Sequence, residues 1–136
     1  MNFGKLVLDR PLLALLANEG CKYVIARDAE TRQPWFVSVD PDGSMGGQRA
    51  DRSAMGASTS PYETWIAGGQ LPEGARSVEV ELDGERYPAK IRAGFWLVGI
   101  PWGNRDCEGV IRFENREGEL VKAEPLDLWL APRPPR

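Results

Sequence analysis

Carboxylates are the one plentiful catalytic type in this chain: 20 Asp and Glu stand against 17 Lys and Arg, and there is no histidine. Without an imidazole, Ser–His–Asp and Cys–His hydrolysis, the common catalytic zinc centres and imidazole relays in phosphoryl transfer are excluded. Two carboxylates held about 5 Å or about 6.5–9.5 Å apart in a cleft can cleave a glycosidic bond. Glu79, Glu81, Asp83 and Glu85 fall on the polar side of an alternating stretch and read as a solvated charged face. Asp106, Glu108 and Glu114, near Trp102, are better placed, but their spacing assigns neither an acid nor a base. No catalytic residue is assigned.

Metal and phosphate motifs fare no better. Asp40-x-Asp42-x-Ser44, with Asp51 at the twelfth place, imitates a calcium loop but puts Met45 where the sharp turn needs glycine. Pro41-Asp42-Gly43 is therefore expected to be an ordinary turn. Gly43-Ser44-Met45-Gly46-Gly47 lacks the Gly-Lys-Ser/Thr ending of a phosphate loop. The sequence predicts no cofactor and no bound metal.

Recognition chemistry has a firmer footing in five tryptophans. Trp35 and Trp96 sit inside apolar stretches and belong to a core. Trp65 follows Tyr62, Trp102 lies in a Pro-Trp-Gly-Asn104 turn, and Trp129 points opposite to Leu128 and Leu130. Exposed indoles serve as interface hot spots and as stacking faces for sugars.

The elements that must position these residues read mostly in twos. After a short strand at residues 2–8, Asp9 as cap, Pro11 in a first turn, Leu12-Leu13-Ala14-Leu15-Leu16 and Gly20 as stop predict one short N-terminal helix. Residues 21–26 and 35–39 make a hairpin around Glu30-Thr31-Arg32-Gln33, with Trp35, Val37 and Val39 on one face and Phe36 and Ser38 on the other. From 43 to 60 the periodicity stops, which predicts a long irregular loop. Val78, Val80 and Leu82 then alternate with acids, Asp83-Gly84 turns the chain, and Tyr87, Ala89 and Ile91 return. Residues 95–100 are apolar on both faces, as in a central strand, and strands follow at 110–114, 119–123 and 126–130. Residues 1–131 are expected to form one domain, and 132–136, Pro-Arg-Pro-Pro-Arg, an extended tail.

Seven or eight short strands with regular turn signals predict an all-β antiparallel sandwich. Between about 65 and 121 the chain shows Gly69-x-Leu71-Pro72-x-Gly74-Ala75, Val78-x-Val80, Asp83-Gly84, Gly94-x-Trp96-Leu97-Val98, Ile111-x-Phe113 and Gly118. This pattern resembles bacterial immunoglobulin-like β-sandwich modules. The resemblance implies a fold and carries over no active residue.

The acidic balance, a net charge of −3, disfavours nucleic acid, which needs a positive field. No stretch reaches the roughly 20 apolar residues that span a membrane, and the Leu-rich start lacks a cleavage site, so a cytoplasmic location is expected. Cys21 and Cys107 pair only if the fold brings them together. The expected function is a non-enzymatic protein-binding module acting stoichiometrically, as an inhibitor, immunity protein or assembly adaptor. Its partner is a protein, in this reading a basic one. The expected contact residues are Tyr62, Trp65, Trp102, Asn104, Arg49 and Arg52. The alternatives are a carbohydrate-binding module that stacks sugars on exposed tryptophans, and a structural module of a larger assembly.

Overall fold

A computed structural model describes residues 8, 10–16, 20–58, 64–82, 84–101 and 109–125. These residues form only strands, and the strands build three antiparallel four-stranded sheets. The first sheet is a meander of β1 (Leu13–Leu16), β2 (Lys22–Arg27), β3 (Pro34–Val39) and β4 (Met45–Arg49), in that spatial order. The remaining strands are β5 (Met55–Ser58), β6 (Thr64–Gln70), β7 (Ser77–Leu82), β8 (Glu85–Pro88), β9 (Lys90–Arg92), β10 (Phe95–Pro101), β11 (Gly109–Glu114) and β12 (Leu120–Pro125). They form a second sheet in the order β5-β6-β10-β9 and a third in the order β12-β11-β7-β8.

The second sheet is the middle layer, because side chains alternate across it and both faces are dry. Trp65 and Ala67 of β6 and Trp96, Val98 and Ile100 of β10 pack on Val78, Val80 and Leu82 of β7 and Ile111 and Phe113 of β11. Trp96 meets Phe113 edge-on, with ring centroids 5.7 Å apart. The opposite residues of the same two strands, Ile66, Phe95 and Leu97, pack on Leu13, Tyr23, Ile25 and Phe36 of the first sheet. That two-sided burial is why residues 95–100 are apolar throughout.

Three sequence expectations are corrected here. The predicted N-terminal helix is absent: Leu13–Leu16 is strand β1, registered against β2 as Leu13↔Ile25 through Leu16↔Lys22. Leu13 and Leu15 face the second sheet, while Ala14 joins a separate cluster with Val24, Trp35 and Val37 on the other face. A strand with apolar neighbours on both faces loses its alternation and imitates a helical run. The predicted irregular stretch 43–60 contains two strands, β4 and β5. Its glycines hide them. At Gly47 a Cβ would lie 2.4 Å from the Phe36 carbonyl oxygen, so the β3–β4 approach requires a residue without a side chain. Finally, the return strand 87–92 breaks at Ala89. β8 pairs with β7 in the third sheet, β9 pairs with β10 in the second, and Ile91 is exposed rather than buried.

Other readings match the structure. The β2–β3 hairpin has Trp35, Val37 and Val39 on one face and Phe36 on the other, as the alternation predicts. Asp40–Ser44 is a turn in which Asp42 accepts from the Ser44 amide at 2.9 Å and the Ser44 hydroxyl at 2.6 Å. These bonds hold the Asp42 carboxyl below its usual range.

Candidate functional site

The connection between β4 and β5, residues 50–54, crosses from the first sheet to the second and forms one wall of a cleft. Its seat is built from the middle sheet. The Gln70 amide donates to the Arg52 carbonyl at 2.9 Å, Gln70 Nε2 to the Ala50 carbonyl at 3.0 Å, and Trp96 Nε1 to the Ser53 carbonyl at 2.8 Å. Paired in this way, three backbone acceptors of a non-repetitive segment avoid the cost of unmade bonds. The approach is so close that a Cβ at Gly69 would lie 2.6 Å from the Arg52 carbonyl oxygen.

The opposite wall is the edge strand β12. Lys122 and Glu124 oppose Phe113 and Ile111, so they lie on the inward face of the third sheet, where the layer runs out. There the Ser53 hydroxyl donates to Glu124 Oε1 at 2.6 Å, and Lys122 Nζ donates to Ser53 Oγ at 2.9 Å and sits 2.7 Å from Glu124 Oε1. The three groups clasp the connection to the edge strand. The cleft they close at one end has a volume of about 530 Å³ and is lined by Gln48, Arg52, Ser53, Ala54, Met55, Gly56 and Glu124. A serine beside a lysine invites comparison with Ser–Lys hydrolysis, in which a lysine accepts the serine proton. Here the ammonium donates to the serine and pairs with a carboxylate, an arrangement that holds two sheets together and offers hydrogen bonds to a ligand.

Of the predicted contact residues, Arg49 and Arg52 are exposed, and Arg52 lines this cleft. Trp65 is not a surface indole: it is 1% exposed, in the core between the second and third sheets. Its ring explains the glycine diagonal to it on β5, since a Cβ at Gly56 would lie 2.6 Å from Trp65 Cζ2. Trp35 and Trp96 are likewise core residues, so no described tryptophan offers a stacking face for a sugar. Tyr62, Trp102 and Asn104 lie outside the described residues, as do Cys107 and Trp129.

Sequence reasoning missed Ser53, Lys122 and Glu124, which lie about seventy residues apart and carry no local motif. It also missed two exposed apolar side chains, Leu120 and Val121. The register passes from Phe113↔Lys122 to Glu114↔Leu120, which leaves Val121 as the extra residue of a bulge on β12.

No family model, no curated protein and no solved structure matches this chain. Among the described residues no helix is long and apolar enough to cross a membrane.

Proposed function

We propose that residues 55–125 are an immunoglobulin-like sandwich and that the chain is a non-enzymatic module that binds a protein partner stoichiometrically. Strand connectivity supports the first half. If β5 to β12 are taken in chain order as A, B, C, C′, D, E, F and G, the second sheet is A-B-E-D and the third is G-F-C-C′. This order supports the reading, since an immunoglobulin sandwich sets A-B-E-D strands against a G-F-C sheet. The N-terminal meander is an added layer on the outer face of the A-B-E-D sheet.

The observation that carries the second half is the surface around β12. Leu120 and Val121 are half-exposed on an edge strand, and the same strand supplies Glu124 to the cleft that Arg52 also lines. An exposed apolar pair on the strand that also lines a polar cleft of both charge signs suits a protein-binding module, whose interface core is apolar and whose rim is polar. The edge is also guarded against unspecific pairing, because the bulge, Lys122 and Pro125 all interrupt it. In this reading the cleft and the apolar pair meet a partner surface of roughly 800 Å².

The test is affinity capture from extract of the native host, with the retained protein quantified against the bait, comparing wild type with Arg52→Glu and Val121→Asp. Both positions are exposed, so both variants are expected to fold. One protein retained in a one-to-one ratio, and lost with either variant, supports the reading. Retention of nothing by wild type, or equal retention by all three, overturns it.

A further inference from the structure

The first sheet ends at β4, and β4 carries none of the guards that interrupt β12. Its residues, Met45-Gly46-Gly47-Gln48-Arg49, pair with β3 without a register shift and include no proline and no lysine. Among the described residues β3 is its one hydrogen-bonded neighbour. The direction of its backbone groups follows from the bonds at either end. The Ala50 amide donates to the Pro34 carbonyl and the Asp40 amide to the Ser44 carbonyl, both at 2.9 Å. Opposed residues on an antiparallel ladder alternate between exchanging bonds and turning away from each other. Gln48 and Gly46 therefore bond to Phe36 and Ser38, while Met45, Gly47 and Arg49 turn their N–H and C=O groups away from β3, past the edge of the sheet. Gly47 is exposed, and because it has no side chain its exposure is exposure of backbone.

A strand edge with outward backbone groups is a template for a further strand, and the residues around β4 specify a second copy of the same one. Acids lie before the strand and bases at its end. Asp40 and Asp42 are exposed in the turn that leads into it; Arg49 and Arg52 are exposed at its end and just past it, with Asp51 the one acid between them. Two copies of β4 set antiparallel about a two-fold axis at Gly47 bring the unlike ends together. Gly47 then opposes Gly47, Met45 opposes Arg49, and each pair exchanges both of its N–H···O bonds. The same register carries Arg52 toward Asp42 of the second copy, and Asp51 toward Gly43, which has no side chain to meet it. On the inner side Gln48 opposes Gly46, a long side chain beside a position with none. A cleft of about 350 Å³ there, lined by Phe36, Ser38, Gly46, Gly47 and Gln48, leaves room for it. We propose that the chain forms a two-fold dimer through β4, which joins the four-stranded first sheets of two copies into one continuous sheet.

This dimer does not rest on the protein-binding reading, and it is tested on the purified whole chain with no other protein present. A single strand pairing buries less than a standard interface, so sedimentation equilibrium between about 5 and 500 µM is expected to show monomer and dimer with a dissociation constant on the order of tens of micromolar. Amide hydrogen exchange over the same range is expected to slow at Met45, Gly47 and Arg49 as concentration rises, with Gly46 and Gln48 already slow in the monomer. Arg49→Pro removes one outward N–H and spares the ladder, because the amide of residue 49 does not bond to β3. It is expected to abolish the dimer, whereas Arg49→Gln, which keeps the amide, is expected to weaken it only a few-fold. Arg52→Glu is expected to weaken it about tenfold, since the two-fold axis counts each lost ion pair twice. A chain that stays monomeric at about 500 µM overturns the proposal. So does a dimer whose exchange at residues 45, 47 and 49 is independent of concentration, or one that a folded Arg49→Pro protein still forms. Slowing of those three amides only on addition of another protein also overturns it, and assigns the edge to a strand of that partner.

Discussion

Toward β7 and β11 the middle sheet presents Trp65, Ala67, Trp96, Val98 and Ile100; toward the meander it presents Ile66, Phe95 and Leu97. On the first side the packing is anchored by two indoles, and the facing sheet has one dry face, so its strands alternate as Val78-Glu79-Val80-Glu81-Leu82. On the second side the facing sheet is itself apolar on both faces, with Ile25 and Phe36 inward and Val24, Trp35 and Val37 on the far side. The contrast teaches that one fold can place a strongly patterned pair of layers beside a weakly patterned one. The two interfaces are expected to fail differently.

The largest effect that tests this difference is Trp96→Ala. The indole is fully buried and donates to the Ser53 carbonyl, so its loss opens a cavity and strips a backbone acceptor. About 3–5 kcal/mol is expected, read as a lowered denaturant midpoint for the whole molecule. Phe36→Ala, on the other interface, carries a similar cavity cost of about 3–5 kcal/mol. Its loss is expected to appear as faster amide exchange confined to β1–β4, with β6, β7, β10 and β11 still protected. A single common transition, with protection lost everywhere in both variants, would break the distinction between the two halves.

A smaller effect sharpens it. In Gly47→Ala the new methyl group meets the Phe36 carbonyl oxygen and Val37 of the neighbouring strand, and backbone cannot yield as a flexible side chain would. The expected cost is about 1–3 kcal/mol, again concentrated in β1–β4 exchange. Unchanged stability would show that β4 is loosely held and contributes little to the meander.

How much of this was readable beforehand depends on where water lies. β7, β10 and β11 were legible because each either alternates cleanly or is apolar at the length of a central strand. β1 was not, because Leu12 to Leu16 has apolar neighbours on both faces and its pattern fits a helix equally well. β4 and β5 were not, because Met45-Gly46-Gly47 and Met55-Gly56-Ala57 carry their ladder in backbone bonds that no side-chain pattern reports. At the site, Arg52 is exposed and lines the cleft, while Trp65, expected at the surface, is buried. The clasp of Ser53, Lys122 and Glu124 joins residues with no sequence relation, and only the sheet order brings them together.

Titration separates the two interfaces by another route. Tyr23 packs beside Phe36 in the meander interface, with ring centroids 6.3 Å apart. Burial raises its phenol above the ordinary value of 10.0, and the nearby Cys21 and Asp40 add to the shift. A group whose pKa is raised on folding stabilises fully below its unfolded value, and that contribution is lost as pH rises through the folded value. Wild type is therefore expected to lose stability above about pH 10 more steeply than Tyr23→Phe. Denaturant midpoints measured between pH 8 and pH 11 test this, and parallel curves for the two proteins would place Tyr23 in contact with water.

The smallest expected effect lies at the clasp, where the patterned pair of layers meets the β4–β5 connection. Lys122 is about half exposed, with its side chain 46% accessible beside a Glu124 side chain at 20%, so solvent screens their attraction. Ser53→Ala removes the hydroxyl that both groups share, and a neutral loss of about 0.5–1.5 kcal/mol is expected. Lys122→Met keeps the aliphatic stem and removes the charge, at a cost of about 0.2–1 kcal/mol. Combined, the two substitutions should cost less than their sum, because either one already breaks the three-way arrangement. Strict additivity in that double-mutant cycle would mean that the three side chains are neighbours without being coupled. The hydrogen bonds from Trp96 and Gln70 and the packing of Ala50 and Ala54 would then hold the connection to the middle sheet without help from β12.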